Sequence, residues 1–205
     1  MLLSEVDENT RGDHYYLTPD DSCLYLLEYT SGRDYSFSKA NQIITNLKKK
    51  PSNSHRADYR YKQIVIRQAS NTLAGALRAD WLDHATLVPV PGSKSEEHPD
   101  YDDRMERICL GIRADIDVRN LVKQTQSTVA SHEAGDGKRI SVDELIDLYE
   151  IDDSIAEPPP TDIAVVDDVL TAGTHFRAMK TVLNERWPNV RVTGIFIARR
   201  VFPEY

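Results

Sequence analysis

The stretch Ile163-Ala-Val-Val-Asp167-Asp168-Val-Leu-Thr171-Ala-Gly173-Thr-His175 decides how the rest of the chain is read. Ile163 to Val166 is an apolar, largely β-branched run, the composition of a strand buried on both faces of a parallel sheet. Two adjacent acids follow and therefore stand at the carboxyl end of that strand. Thr171 to Thr174 make a small-residue turn, after which Phe176, Met179, Val182 and Leu183 recur at helical spacing until Pro188 stops the helix. Small side chains let an anion approach the backbone, and a helix start offers it unpaired N–H groups and a positive dipole end. The acids repel such an anion but accept hydrogen bonds from vicinal hydroxyls. A ribose 5-phosphate suits both halves of this corner.

The decapeptide Val165 to Thr174 resembles the phosphoribosyl-pyrophosphate (PRPP) motif of type I phosphoribosyltransferases, and its turn is closest to the orotate enzymes' version. The resemblance implies an α/β fold of the type I kind: a central parallel sheet flanked by helices, a small N-terminal hood and a flexible lid. It implies catalytic roles for Asp167 and Asp168, which would hold the ribose hydroxyls and, partly through PRPP, a Mg²⁺ ion. PRPP binding falls to Val169, Leu170, Thr171, Ala172, Gly173, Thr174 and His175. Hypoxanthine-guanine enzymes carry an acid where Thr171 stands, which argues against that class. His175 replaces a small residue; it either adds a donor for the 5-phosphate or points outward.

Displacing pyrophosphate calls for a second anion-binding loop across the sheet edge. Thr86 to Pro91 reads as a strand ending in prolines, and Pro91, Gly92, Ser93 and Lys94 after it supply a turn, a hydroxyl and an ammonium. This loop is similar to that of the ComF-like phosphoribosyltransferase group. In related enzymes the loop often holds a cis peptide, for which Val90–Pro91 offers an inexpensive place. Residues 120–160 read as lid and linker, polar and without period from Val122 to Lys138. Lys123, His132 and Arg139 are the candidates to close over pyrophosphate. Arg104, at a helix start beyond the loop, has Asp102 and Asp103 as near partners.

Across all 205 residues, 40% hydrophobic and 28% charged content fits one soluble α/β domain, residues 15–205, behind a loose tail at 1–14. The hood is expected at 15–58. A formal charge of −8 argues against nucleic-acid binding, which draws on cationic contacts to phosphates. Lys48-Lys49-Lys50 reads as the solvated, dipole-complementing end of a helix stopped by Pro51. No membrane-length apolar run or basic-then-apolar leader occurs, so the expectation is a cytoplasmic protein. Cys23 and Cys109 have no metal-ligand spacing and read as reduced, buried residues.

The remaining elements follow from spacing and caps. Tyr15–Leu17 and Cys23–Tyr29 suggest a hairpin or an edge pair of strands about a turn at Thr18–Ser22. Ser38 is placed to cap a helix through Lys49. Ile64, Val65, Leu73, Leu77 and Trp81 predict one helix over Tyr59–Leu82, and Arg104–Arg113 a shorter one. Ser141-x-x-Glu144 is a capping box before a helix from Val142 to Tyr149. Pro158–Pro160 form an extended spacer, and Val190–Ala198 a final strand. The expected partners are PRPP and a small-molecule acceptor, with homodimerisation open. Three functions fit: a PRPP- and Mg²⁺-dependent transferase, a PRPP- or nucleotide-sensing module without catalysis, or a ComF-like accessory protein in DNA uptake or defence.

Overall fold

The computed structural model describes residues 2–128 and 140–203. In chain order its strands are β1 (Ser4–Glu5), β2 (Ser22–Thr30), β3 (Ala85–Pro89), β4 (Asp117–Val118), β5 (Val122–Gln124), β6 (Tyr149–Ile151), β7 (Asp162–Leu170) and β8 (Arg191–Val201). The helices are α1 (Lys39–Leu47), α2 (Arg60–Ala76), α3 (Ala79–Leu82), α4 (Arg104–Leu110), α5 (Val142–Leu148) and α6 (Thr174–Arg186). Six strands form the main sheet in the order β1-β2-β8-β7-β3-β4. Every pairing from β2 to β4 is parallel and only β1 is antiparallel, so the chain is an α/β protein with a mostly parallel central sheet.

β7 lies between β8 and β3, and from Ile163 to Val166 its side chains alternate between two separate cores. Ile163 and Val165 pack with Phe176, Met179 and Leu183 of α6 and Leu145 of α5. Ala164 and Val166 pack with Ile43, Ile44 and Leu47 of α1, Val65 and Leu73 of α2 and Ile108 of α4. A strand covered on both faces needs an unbroken apolar run, which is what its sequence provides. Gly194 of β8 is required by this packing: a Cβ there would sit 2.7 Å from the Phe196 ring and 3.0 Å from both Cys23 Sγ and the Phe176 ring. Both cysteines are free and buried. Among the described residues no helix is long and apolar enough to cross a membrane.

Several local expectations are corrected. Tyr15–Leu17 forms no strand. The antiparallel partner of β2 is β1, from the segment expected as a loose tail, with Val6 buried and its N–H on Cys23 O at 2.9 Å. Residues 14–17 are engaged elsewhere, against the turn after β7. The helix expected over Tyr59–Leu82 breaks at Leu77, whose backbone is extended, and restarts as α3, from which Trp81 donates to Asp162 Oδ2 at 3.3 Å. Ile64 is 42% exposed because Val65, Ile66, Ala69 and Leu73 define the buried stripe, and Ile64 stands about 100° from Val65 around the helix. The helix from Arg104 ends at Leu110 rather than Arg113. The start of the supposed lid is ordered, since β5 pairs with β6 in a small antiparallel sheet. The cis peptide is Glu157–Pro158; Val90–Pro91 is trans. The Ser38 cap on α1 and the Ser141/Glu144 capping box on α5 form as expected.

Candidate functional site

The connection after β3 leads to α4 on one face of the sheet, and the connection after β7 leads to α6 on the other. Adjacent parallel strands whose connections part in this way leave a crevice beyond their carboxyl ends. The crevice is lined by Asp167, Asp168, Val169, Thr171 and His175 from the β7 side and by Val90 to Lys94 from the β3 side. The two stretches singled out in the sequence therefore face one another, with Val90 N–H bonded to Val166 O at 2.9 Å. This cavity, about 140 Å³, shares Pro91, Gly92 and Lys94 with a larger one of about 430 Å³ that extends past Tyr101 to Lys123.

Strand alternation sends the two acids different ways. Asp167 continues the Val165 side, and its Oδ1 accepts the Asp168 N–H at 2.7 Å. Asp168 continues the Val166 side, where α1 and α4 end and begin, and it meets two cations there. Arg104 donates to its Oδ2 from Nε at 3.1 Å and Nη2 at 2.7 Å, and Lys48 Nζ lies 3.4 Å from Oδ1. Burial opposes ionisation of Asp168, but the charges of Lys48 and Arg104 outweigh it and hold the carboxyl well below the usual range. For Asp167, burial and the neighbouring Asp168 charge act together and push the carboxyl up. One carboxylate is firmly ionised, and the other is poised to hold a proton.

Behind Arg104 stands a buried support. Its Nη1 donates to Asp102 Oδ2 at 2.7 Å, and the same oxygen accepts from Lys62 Nζ at 2.6 Å. Lys62, 1% exposed, gives its other two donors to Leu47 O and Lys49 O at the end of α1, at 2.6 and 2.7 Å. All three ammonium hydrogens are used, as burial of a charge requires. The network thus fastens the end of α1, and with it Lys48 and Lys50, to the rim of the cleft.

The turn after β7 is held from its outer side. Gly173 takes φ +86°, a conformation that L side chains rarely adopt, and a Cβ there would sit 3.1 Å from the Leu17 side chain. His14 Nδ1–H donates to Thr171 O at 2.5 Å, Tyr16 N–H donates to Ala172 O at 2.8 Å, and Arg177 Nη2 donates to Tyr16 O at 2.9 Å. With the carbonyls turned to this strap, the N–H groups of Thr171, Ala172 and Gly173 donate to no acceptor among the described residues. Thr174 opens α6, and Leu170 is buried in the core with only its backbone near the turn.

His175 is settled by its neighbour. Tyr149 of β6 is buried, and its Oη lies 2.8 Å from His175 Nδ1. The phenol has no other partner among the described residues, so there it satisfies its hydroxyl by donating to Nδ1, which leaves the ring proton on Nε2. Burial pushes the imidazole down to about 4. His175 is thus a neutral donor on the wall of the cleft.

Of the remaining candidates, Lys94 Nζ donates to Thr128 O at 2.8 Å, and Ser93 O accepts from Thr128 N–H at 2.7 Å and Gln124 Nε2 at 3.1 Å, so the loop after β3 is tied to the end of β5 and the residues that follow it. Lys123 is half exposed on β5 and paired with Asp152 at 2.6 Å. His132 and Arg139 lie outside the described residues. Sequence reasoning missed Lys48, Lys50 and Lys62 as parts of the site, since a lysine tract before a proline reads as a solvated helix end. Arg104 was noticed, but its contact with Asp168 spans 64 positions that no local pattern links. No protein-family model matches the chain, and no curated protein matches it in sequence. Among the described residues no group of three or more His, Cys, Asp or Glu is placed to hold a metal.

Proposed function

We propose that this protein is a type I phosphoribosyltransferase-like protein of the ComF-like group, which binds PRPP with Mg²⁺ and transfers the phosphoribosyl group to a nitrogen nucleophile, releasing pyrophosphate. The observation that carries the reading is the meeting of the Asp167-Asp168 pair, the left-handed Gly173 turn with its outward N–H groups and the Pro91–Lys94 loop at one topological switch point. The 5-phosphate would sit on the turn and the start of α6. Asp167 and Asp168 would accept from the ribose hydroxyls and face the positive charge that develops at C1. The carboxylate pair fits a Mg²⁺ ion taking one or two protein oxygens and the rest from ligand, and such an ion would neutralise charge on the departing pyrophosphate. What falls to the protein is positioning and exclusion of water.

The test is pyrophosphate release from PRPP across a panel of nucleobases and amines. Wild type should turn over at least one acceptor, and Asp168→Asn should lose the activity by at least about a hundredfold, the scale of removing a charge that acts in the transition state. A PRPP-sensing module without catalysis is the second reading, favoured by the engagement of Asp168 with Arg104 and Lys48. Calorimetric PRPP binding with silence on every acceptor would select it, and no PRPP binding at all would reject both.

A further inference from the structure

The cleft's two kinds of charge are spent on each other. Asp168 Oδ2 is filled by two donors of Arg104, while its Oδ1 faces Lys48. A diol needs those carboxylate oxygens as acceptors, and a polyphosphate needs those same cations. Arg104 is also held at its far end, through Nη1, by an Asp102 that buried Lys62 fixes in place. The guanidinium can therefore release Asp168 without leaving the cleft.

We infer that Asp168 is a latch on the anion subsite: Lys48 and Arg104 form part of the pyrophosphate-binding surface, and they leave Asp168 for phosphate oxygens as ribose hydroxyls take their place on the carboxylate. This rests on the reading of the cleft given above and deepens it by adding two residues and a basis for selectivity. A ligand carrying both a diol and a polyphosphate completes the exchange. Pyrophosphate alone breaks the ion pairs and leaves a buried carboxylate without those donors, so it binds weakly.

The discriminating probe is inorganic pyrophosphate in EDTA at low salt, titrated calorimetrically, so that metal coordination by Asp168 does not enter. Asp168→Asn should bind pyrophosphate at least about fivefold more tightly than wild type, because a competing negative charge inside the cleft is removed. Lys48→Met should bind it severalfold more weakly, and this partly exposed position also serves if Asp168→Asn does not fold. Equal or weaker pyrophosphate binding by Asp168→Asn, or unchanged binding by Lys48→Met, overturns the latch. If wild type still turns over PRPP in that event, the functional reading survives without it. A tighter Asp168→Asn beside a wild type inert toward PRPP keeps the latch and removes the transferase.

Discussion

Arg104 reaches across the cleft to donate from both Nε and Nη2 to one oxygen of Asp168, at 3.1 and 2.7 Å, while its Nη1 holds Asp102 at 2.7 Å. Removing the guanidinium leaves two carboxylates with reduced compensation in a largely buried setting. Arg104→Ala should lower unfolding free energy by about 3 kcal/mol, the range for breaking a buried pair from one side. Because Asp168 is held below its unfolded value, its contribution is present above about pH 4 and fades as the pH falls further. Urea denaturation should therefore show the gap between wild type and variant narrowing below pH 4; a constant gap contradicts the assignment.

Asp167 behaves in the opposite sense. Its folded-state carboxyl is raised, to about 7, by burial and by Asp168, so the folded protein holds a proton that the unfolded chain releases near pH 4. Stability drawn from this group falls as pH rises from about 4 to 7. Asp167→Asn keeps the acceptor for Asp168 N–H and abolishes the titration. Its melting temperature should exceed that of wild type by more at pH 8 than at pH 5, and a larger advantage at pH 5 would refute the pairing described here.

Gly173 is the hinge of the turn. Ala at this position meets both a positive φ and a Leu17 methyl 3.1 Å from its Cβ. Gly173→Ala should cost about 1–2 kcal/mol and displace the turn's N–H groups. A thermal melt within error of wild type would mean that the strap of residues 14–17 yields freely.

The Tyr149–His175 bond makes a spectroscopic prediction. The imidazole nitrogens should report the Nε2–H tautomer at neutral pH, with protonation only near pH 4 because burial disfavours the cation. Tyr149→Phe removes the donor to Nδ1 and should yield a mixture of tautomers. An imidazole titrating near 6.5 in the wild type contradicts this geometry.

Much of the sheet and one half of the site were legible in the residues themselves. The apolar run of β7, the acids at its end and the glycine turn are local, because a strand covered on both faces and a turn of positive φ each demand particular side chains at fixed offsets. The Ser38 and Ser141 caps were readable for the same reason, being bonds across three residues. The place of β1 was not: a two-residue edge strand carries too little pattern to separate it from a tail. The break at Leu77 and the exposure of Ile64 depended on which surface α2 meets, and spacing alone describes only the helix.

The chemical character of the corner, an acidic pair beside an anion-binding turn, belongs to sequence, since residue type and offset within one strand-turn-helix unit are enough to define it. The charge state of that pair belongs to tertiary structure. Asp167 and Asp168 are chemically identical neighbours, and only the pleat that sends one toward α6 and the other toward Lys48 and Arg104 sets them apart. The cations come from the end of α1 and the start of α4, far away along the chain. Electrostatic energy depends on distance through space and on burial, neither of which is written in the order of residues.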